Sequence, residues 1–306
     1  MKVNITILLL LITILFSCKR SGNQNKTLPE NTGTNKEIIL VIEDKLWGEK
    51  KGEILREIFE EEIAGLPQPE KLFELKQINS KEFSRLSLFR THKNIIFVSS
   101  NVKDSYSKNK WANGQFIFYL NSNSKEKDFI KSCKKTCSFL NRKELEEIKR
   151  NYEEGHNKEA RLDIKDEFGF ELFLPTEYTV SLKKDGLFIA DFHSFNKKED
   201  LLKYIIVYEF ELTNYDLQEE IIIRTDSILK YIPTNGDSYV QIDKRFSIVK
   251  DNEIYRGLWI LKNEFMGGPI IIRSTSIDDK VIVSLGIVFN PNKNKRDLVR
   301  TFEAIL

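Results

Sequence analysis

The residues whose type and spacing most directly suggest chemistry are Cys133 and Cys137, which are separated by three residues. With a histidine, such a pair could bind copper or act as a redox couple. The spacing also places both thiols on the apolar stripe of a helix predicted over residues 124–154, where cysteine packs as a small hydrophobic side chain. A disulfide within a regular helix requires awkward geometry. We therefore interpret the pair as buried thiols, with an oxidised pair and a metal or redox site as the alternatives.

The three histidines, His92, His156 and His193, are far apart in the sequence, and none has the spacing of a metal-ligand motif. We interpret each as a structural or surface residue rather than a catalytic one. The sequence contains no Gly-x-Ser-x-Gly nucleophile motif, no phosphate-binding loop and no dinucleotide fingerprint. These observations predict no catalytic residue, no cofactor and no metal site.

The third cysteine, Cys18, directly follows an N-terminal apolar segment. Lys2 supplies a positive start, residues 5–16 are almost entirely apolar, and the chain becomes polar immediately after Cys18. An apolar segment of this length is too short to span a bilayer as a mature helix. The pattern is typical of a secretory signal.

The residues around Cys18 resemble a bacterial lipobox, with Leu15 three places before the cysteine and Ser17 directly before it. The resemblance implies that residues 1–17 are a lipoprotein signal peptide. Cleavage before Cys18 would leave its thiol and its new amine to carry acyl chains such as palmitate. The alternative is an ordinary secretory signal with a cysteine present by chance.

The charge balance of the chain excludes one class of partner. The 306 residues include 48 Lys+Arg and 46 Asp+Glu, a net charge of +2 that falls to +1 when the segment with Lys2 is removed. This balance predicts neither nucleic-acid binding nor electrostatic attraction to an anionic membrane surface. A hydrophobic content of 41% with 21 Phe predicts a globular body after the signal.

Residues 18–36 are polar and lack periodicity, which predicts a flexible tether. The N-terminal half, residues 37–157, alternates helical segments with apolar runs of strand length, which predicts an α/β subdomain. Its predicted strands are 38–42, 72–78, 94–99 and 116–120. We expect Ser80 to cap a short helix and Gly155 to end the long helix in a left-handed conformation.

The C-terminal half, residues 158–306, is predicted to be strand-rich. Strands are expected at 170–174, 187–192, 204–212, 239–243, 255–261, 269–273 and 281–289. Asp216 opens a capping-box pattern for one helix, and an amphipathic helix closes the chain. The predicted fold class is therefore α+β, with an α/β-like N-terminal half and a strand-rich C-terminal half packed as two layers.

The stretch from Trp259 to Pro269 contains a candidate contact surface. Two glycines before a proline permit a tight turn, and methionine and aromatic side chains are typical of adaptable binding patches. The candidate residues are Trp259, Phe265, Met266, Gly267, Gly268 and Pro269. The alternative is a structural turn between two strands, with Trp259 and Phe265 packed inside.

Several stretches resemble domain-of-unknown-function family 4837, which consists of lipoproteins of Bacteroidota. They are residues 38–47, Gly65–Glu70, Thr91–Ile96, Arg256–Trp259, Asn263–Pro269 and Arg300–Leu306, and they extend over nearly the whole chain after the signal. The resemblance implies a bacterial cell-envelope lipoprotein and carries over no catalytic residue. Residues 19–23 lack the acidic side chains that often follow the lipidated cysteine of surface-exposed lipoproteins in that phylum. We therefore expect a body that faces the periplasm.

Taken together, these features predict a protein held to the inner or outer membrane by its N-terminal lipid. The expected molecular role is that of a non-enzymatic module that binds an envelope partner or assists assembly. Two alternatives stay open, an envelope enzyme whose site is built from distant residues and a lipoprotein that binds a small ligand between its halves.

Overall fold

A computed structural model describes residues 27–196, 199–213 and 215–306 of the chain. The predicted signal peptide, Cys18 and residues 19–26 lie outside this part. Lipidation of Cys18 therefore stays a prediction. Within the described residues, no helix is both long enough and apolar enough to cross a membrane.

The N-terminal half is built on a five-stranded sheet. Its strands are β1 (Glu37–Val41), β2 (Glu74–Ile78), β3 (Asn94–Ser99), β4 (Ser105–Lys108) and β5 (Phe116–Asn121). The order is β2-β1-β3-β5-β4, and all pairs are parallel except β4 with β5. Ile38 and Leu40 pack on one face of the sheet, whereas Ile39 and Val41 pack on the other. Burial on both faces explains why β1 is a continuous apolar run.

Helices cover both faces of this sheet. They are α1 (Asp44–Trp47), α2 (Lys50–Phe59), α3 (Ser80–Arg85) and α4 (Glu126–Glu154), with a 3₁₀ turn at Ser87–Thr91. α2 and α4 pack on one face, and α3 packs on the other through Phe83. The cap of α3 is Asn79, whose side chain accepts a hydrogen bond from the Glu82 amide at 2.9 Å. The prediction of Ser80 as the cap is wrong because Ser80 already lies inside the helix.

The C-terminal half is built on one large antiparallel sheet. Its strands are β6 (Thr179–Lys184), β7 (Leu187–Asn196), β8 (Glu199–Glu211), β9 (Val240–Ile242), β10 (Val249–Asp251), β11 (Ile254–Leu261), β12 (Gly267–Ile277) and β13 (Lys280–Phe289). The order is β10-β11-β12-β13-β8-β7-β6, and β9 pairs with the end of β11. Side chains alternate between two cores, so that Ile270 and Ile272 face one and Ile271 faces the other.

Helices lie on both faces of this second sheet as well. They are α5 (Lys158–Phe168), α6 (Leu217–Ile228) and α7 (Arg296–Ile305), with a 3₁₀ turn at Leu229–Tyr231. α6 packs on one face, and α5 and α7 pack on the other. The predicted α+β class is confirmed. The C-terminal half has three layers, with helices on each side of the sheet, and not the two layers predicted. Asp216 caps α6 as predicted, because its carboxylate accepts the Glu219 amide at 2.9 Å.

The segment after α4 differs from its prediction. Gly155 has φ −133°, so it does not end α4 in the left-handed conformation. A second helix, α5, follows almost at once, and Gly169 with φ 73° is the left-handed cap of that helix. Residues 170–174, predicted as a strand, form none. Their apolar side chains instead contribute to the core, where Leu172 and Leu174 are fully buried.

The end of the predicted tether packs against the N-terminal sheet. The Asn113 amide donates to the Pro29 carbonyl at 2.8 Å, and the Lys93 amide donates to the Thr32 carbonyl at 2.8 Å. Gly33, with φ 84°, lies so close to the His92 ring that a Cβ there would be 2.2 Å from Nε2. Residues 29–33 therefore belong to the folded body, and the tether ends earlier than residue 36.

The two halves share the long helix α4. Its first part contributes Phe129, Cys133 and Leu140 to the core of the N-terminal half. Its last part contributes Leu145 and Tyr152 to the core under the C-terminal sheet. One continuous helix therefore belongs to both hydrophobic cores and fixes the halves to each other.

Buried ion pairs reinforce this connection. Arg296 at the start of α7 donates to both carboxylate oxygens of Glu144 on α4, at 2.7 and 3.0 Å. Arg300 donates to Glu144 at 3.2 Å and also pairs with Glu303. All four side chains are at most 5% exposed. Removing one partner from a buried charge group of this kind costs about 3–5 kcal/mol.

Candidate functional site

The six residues of the predicted contact surface occupy very different environments. Trp259 is 2% exposed, and its indole nitrogen donates to the Val288 carbonyl at 3.2 Å. Met266 is half-buried against the same core. Phe265 is fully exposed, with a relative accessibility of 105%. Only part of the predicted surface is therefore available to a partner.

The two glycines lie in β12 and not in a turn. Gly268 is opposite Trp259, and Gly267 is opposite Ile260, in the β11–β12 ladder. The turn is formed earlier by residues 262–265, where Asn263 has φ 68°. A Cβ on Gly268 would be 2.0 Å from the Val288 carbonyl oxygen. Close strand packing under the Trp259 ring thus requires the two glycines. The predicted turn between two strands is present, but the placement of Gly267 and Gly268 in it is wrong.

The β11–β12 hairpin and its neighbours enclose a pocket of about 280 Å³. Its apolar walls come from four strands and the segment after α6. They include Leu202, Tyr204, Ile232, Trp259, Leu261 and Met266. Thr234, Asn235, Ser238 and Glu264 provide polar groups. Phe265 lies between two lining residues in sequence, Glu264 and Met266, at the turn of this hairpin.

Three polar side chains near this pocket form a short contact chain. The Nε2 atom of His193 is 3.2 Å from the Tyr204 hydroxyl and 3.3 Å from Asp191 Oδ2. Burial, followed by the nearby Asp191 charge, raises the pKa of Tyr204 to about 12. A proton relay through imidazole uses one ring nitrogen for each partner. Because both partners here contact the same nitrogen, the arrangement orients the tyrosine and does not form a relay.

The other two histidines lie far from the pocket in the fold. His92 is 8% exposed and close to Gly33, and burial lowers its pKa. Its Nε2 atom is 3.8 Å from Glu37. The Nδ1 atom of His156 donates a 3.0 Å hydrogen bond to the Glu153 carbonyl at the end of α4. Within the described residues, no group of three or more His, Cys, Asp or Glu side chains is arranged to hold a metal ion.

Cys133 and Cys137 are both free and buried in the core under α4. The Cys137 thiol donates to the Ile58 carbonyl at 3.4 Å. Burial raises the pKa of each thiol from an ordinary 9.0 to about 12. A neutral, buried thiol is neither a good nucleophile nor a ready metal ligand. The geometry therefore favours the interpretation as buried thiols over both alternatives.

Sequence analysis missed the pocket residues that come from distant parts of the chain. Tyr204 is in the predicted strand 204–212 but in no predicted site, and Leu202 is in neither. Their positions two residues apart on β8 give the signal that could have identified them, since such residues share one face of a sheet. The pairing of β8 with β13, and of β12 with β11, could not be derived from one sequence.

Two family models match the chain. Residues 31–153 match a domain of unknown function, DUF8532, and residues 156–306 match another, DUF4837. The C-terminal half belongs to domain-of-unknown-function family 4837. The predicted resemblance to family 4837 is thus confirmed for this half. The stretches quoted from the N-terminal half, such as residues 38–47, lie in the part that matches DUF8532.

Two solved structures are similar to parts of the chain. CalU16 from Micromonospora echinospora is 8% identical with a TM-score of 0.20, and the match covers 40% of this chain and 73% of CalU16. An uncharacterized protein from Rhizobium leguminosarum is 8% identical with a TM-score of 0.15, and that match covers 47% and 71% of the two chains. A comparison with curated proteins gave no match. These two similarities are too weak to indicate a function for this chain.

Proposed function

We propose that this protein is a lipid-anchored lipoprotein of the Bacteroidota cell envelope that binds a partner protein and catalyses no reaction. The anchor is inferred from the lipobox-like residues before Cys18. In this proposal the acylated Cys18 lies in the inner or outer membrane, and the two-half body faces the periplasm. A body of this kind needs no membrane-spanning segment of its own.

The observation that carries the binding role is the exposure of Phe265, which lies in sequence between two residues that line an apolar pocket, Glu264 and Met266. A phenylalanine with 105% relative accessibility gains nothing from folding, because its apolar area stays in water. This phenylalanine lies on the β11–β12 hairpin. The Trp259 hydrogen bond to Val288 and the close packing of Gly268 against Val288 hold the hairpin in place. An exposed aromatic side chain on a closely packed hairpin next to a pocket suits the role of an interface anchor.

The size of the pocket supports a protein partner over a small ligand. Sites for small molecules have volumes of about 300–1,000 Å³ and bury most of the ligand. The pocket beside Phe265 has about 280 Å³, below that range. It is better suited to one apolar side chain of a partner, packed against Trp259 and Met266, with Phe265 reaching the partner's surface.

The geometry gives less support to an enzyme. The contact chain of Asp191, His193 and Tyr204 is the closest approach to a catalytic arrangement near the pocket. Both contacts of the imidazole involve Nε2, and burial raises the pKa of Tyr204 to about 12, far from the value near 7 that suits a general base. These groups are better described as a polar wall of the pocket.

Photo-crosslinking in the native envelope tests the proposed interface. The photoreactive residue benzoylphenylalanine would replace Phe265 in the full-length chain, and the control would carry it at Leu88, which is 74% exposed on the other half. We expect a discrete crosslinked protein at position 265 that is absent at position 88. Identical crosslink patterns at both positions, or none at 265, would contradict this interface.

Cell fractionation tests the anchor separately. Replacing the acylated thiol in Cys18→Ser removes the site of lipid attachment, so the body should move from the membrane pellet to the soluble periplasmic fraction. A variant that still pellets with membranes after a salt wash would mean that the anchor is elsewhere. Because the two experiments use different variants, failure of one leaves the other interpretable.

A further inference from the structure

A second site lies in the other half of the molecule, at the edge of the N-terminal sheet. α2 and α4 cover the centre of one sheet face, but β4 extends beyond them. The uncovered corner between β4 and α4 is a groove of about 520 Å³, larger than the pocket beside Phe265. It is separate from the residues discussed so far, so it does not depend on the proposed function.

The floor of this groove is aromatic. Phe139 on α4 contacts Phe118, with ring centroids 5.4 Å apart, and Tyr106 on β4, at 5.7 Å. Phe118 is 6% exposed, whereas Tyr106 is 62% exposed although its ring packs on this cluster. A second surface placed on Tyr106 would therefore bury aromatic area that folding leaves in water.

The groove is also bordered by a sheet edge whose outer side has no partner strand among the described residues. The Asn109 amide donates to the Gln115 carbonyl at 3.0 Å, on the side of β5. Inward and outward backbone groups alternate along an antiparallel strand. Tyr106 and Lys108 therefore direct their N–H and C=O groups outward, where an added strand could pair with them.

The charge around the groove is positive. Lys135 and Arg142 on α4 line it, and Lys108 follows Tyr106 on the same strand face. Lys135 makes no ion pair with a described residue. The acid among the described lining residues is Asp104, whose carboxylate accepts the Asn121 amide at 2.7 Å and the Ser132 hydroxyl and keeps its negative charge. Arg142 pairs with Glu146 at 3.5 Å, but this pair is exposed and therefore weak, so the described lining keeps a net positive charge.

We propose that this groove, called here the β4 groove, binds an extended acidic peptide segment that adds a strand to β4. Acidic side chains would meet Lys108, Lys135 and Arg142, and an aromatic side chain between them would pack on Tyr106 and Phe139. Charge complementarity selects this occupant. The protein's own segment after Cys18 contains Lys19, Arg20 and Lys26 and would be repelled, and so would the Lys108 edge of a second copy.

Edge strands often carry lysine simply to prevent pairing with other chains. Protection of that kind accounts for Lys108 but not for a groove of about 520 Å³ with an exposed tyrosine on its floor. The two interpretations differ in what they predict for a real peptide, and a direct binding measurement separates them.

The probe is the fluorescein-labelled peptide Thr-Asp-Thr-Phe-Thr-Asp-Thr, in which the groove-facing residues are Asp, Phe and Asp. Threonine favours an extended chain at the alternate positions. Fluorescence anisotropy with the full chain should detect saturable binding that weakens as salt rises. The matched peptides carry Lys in place of both Asp, or Ala in place of Phe, and each should bind at least about tenfold more weakly.

Two substitutions at one position test strand addition itself. Lys108→Ala removes the charge and keeps the outward N–H, whereas Lys108→Pro removes both and is tolerated because that N–H does not pair with β5. We expect Lys108→Pro to weaken binding at least about tenfold more than Lys108→Ala does. Circular dichroism should confirm that both variants melt as the parent does.

A third variant tests the charged wall. Arg142→Glu reverses a side chain that is 64% exposed, so folding should be unaffected, while binding of the acidic peptide should fall at least about tenfold. Absence of saturable binding, equal binding of the Asp and Lys peptides, or equal affinities of Lys108→Ala and Lys108→Pro would each overturn the proposal. A crosslink at Phe265 would be unaffected by any of these results.

Discussion

The two sheets of this protein differ in where their helical cover stops. In the N-terminal half, α2 and α4 leave the edge strand β4 uncovered, and a wide aromatic groove results. In the C-terminal half, helices cover both faces of the sheet centre, and the gap is at the ends of β11 and β12, where the smaller pocket forms. Both candidate sites thus lie at the limits of a sheet. Both candidate surfaces are therefore places where the helices leave part of a sheet uncovered.

We expect the two halves to form one folded unit. The variant with the largest predicted loss of stability tests this expectation. Glu144→Gln leaves Arg296 and Arg300 buried without their shared carboxylate. Urea denaturation should show a loss of about 3–5 kcal/mol in the free energy of unfolding. The control is Glu146→Gln on the same helix, whose exposed ion pairs should contribute less than about 1 kcal/mol. Equal losses of unfolding free energy in the two variants would mean that no buried charge network stabilises the contact between α4 and α7.

The second prediction concerns the N-terminal core under α4. Because the thiolate is the reactive species, a pKa raised to about 12 makes Cys133 and Cys137 react slowly at pH 8. The shift from 9.0 to about 12 corresponds to a thiolate population lower by roughly a thousandfold. Alkylation of the Cys18→Ser body with iodoacetamide, with and without urea, measures this difference.

A cysteine placed on the solvent side of the same helix provides the matched control for that measurement. Ser138→Cys, in a chain with Cys133→Ala and Cys137→Ala, should react at the rate of an unfolded thiol because position 138 is exposed. If Cys133 or Cys137 reacted at a similar rate in the folded protein, the core under α4 would not be closed to the reagent.

A smaller effect is expected from the tight packing of β12. Gly268→Ala would place a Cβ 2.0 Å from the Val288 carbonyl oxygen, so strands must shift, at a cost of about 1–3 kcal/mol. Gly155→Ala is the control, since the nearest atom would be 3.9 Å from its Cβ and φ is −133°. Differential scanning calorimetry should give a lower melting temperature for the first variant only. An unchanged temperature would mean that the hairpin under Phe265 is not rigid.

The smallest stability effect is predicted for the exposed anchor. Phe265→Ser changes a side chain with no buried surface, so the free energy of unfolding should stay within about 0.5 kcal/mol of the parent. Thermal melting measured by circular dichroism checks this. A loss above about 1 kcal/mol would place Phe265 in the core and remove it from the proposed interface.

The central strands and the edge strand β2 were predictable from sequence, whereas the other edge strands were not. Residues 94–99 form a strand with the predicted bounds because their apolar side chains are buried on both faces. β4, β6 and β10 were missed because they are short or polar and largely exposed, so neither continuous burial nor alternation marks them. The β4 groove depends on one of these strands, which explains why sequence analysis did not find it.

The site in the C-terminal half could be predicted only in part. Phe265 and Met266 were identified from residue type. Met266 lines the pocket, and Phe265 is the exposed residue directly before it. The role of Gly267 and Gly268 was misassigned because a glycine needed for a turn and a glycine needed for close strand approach have the same sequence signal. Tyr204, His193 and Asp191 come together only through the β7–β8 pairing, which no local pattern specifies.

The polar contacts between the two halves also affect the order in which the chain folds. Lys295 and Arg296 donate their backbone amides to Glu70, across 225 and 226 positions of sequence, and Arg296 also donates to the Leu72 carbonyl. The partners of Glu70 and Glu144 therefore lie more than 150 positions later in the sequence. Contacts of such long range form late. Until α7 packs in place, the buried Glu144 and the partly buried Glu70 lack these partners, so a chain without residues 295–306 should be destabilised in both halves.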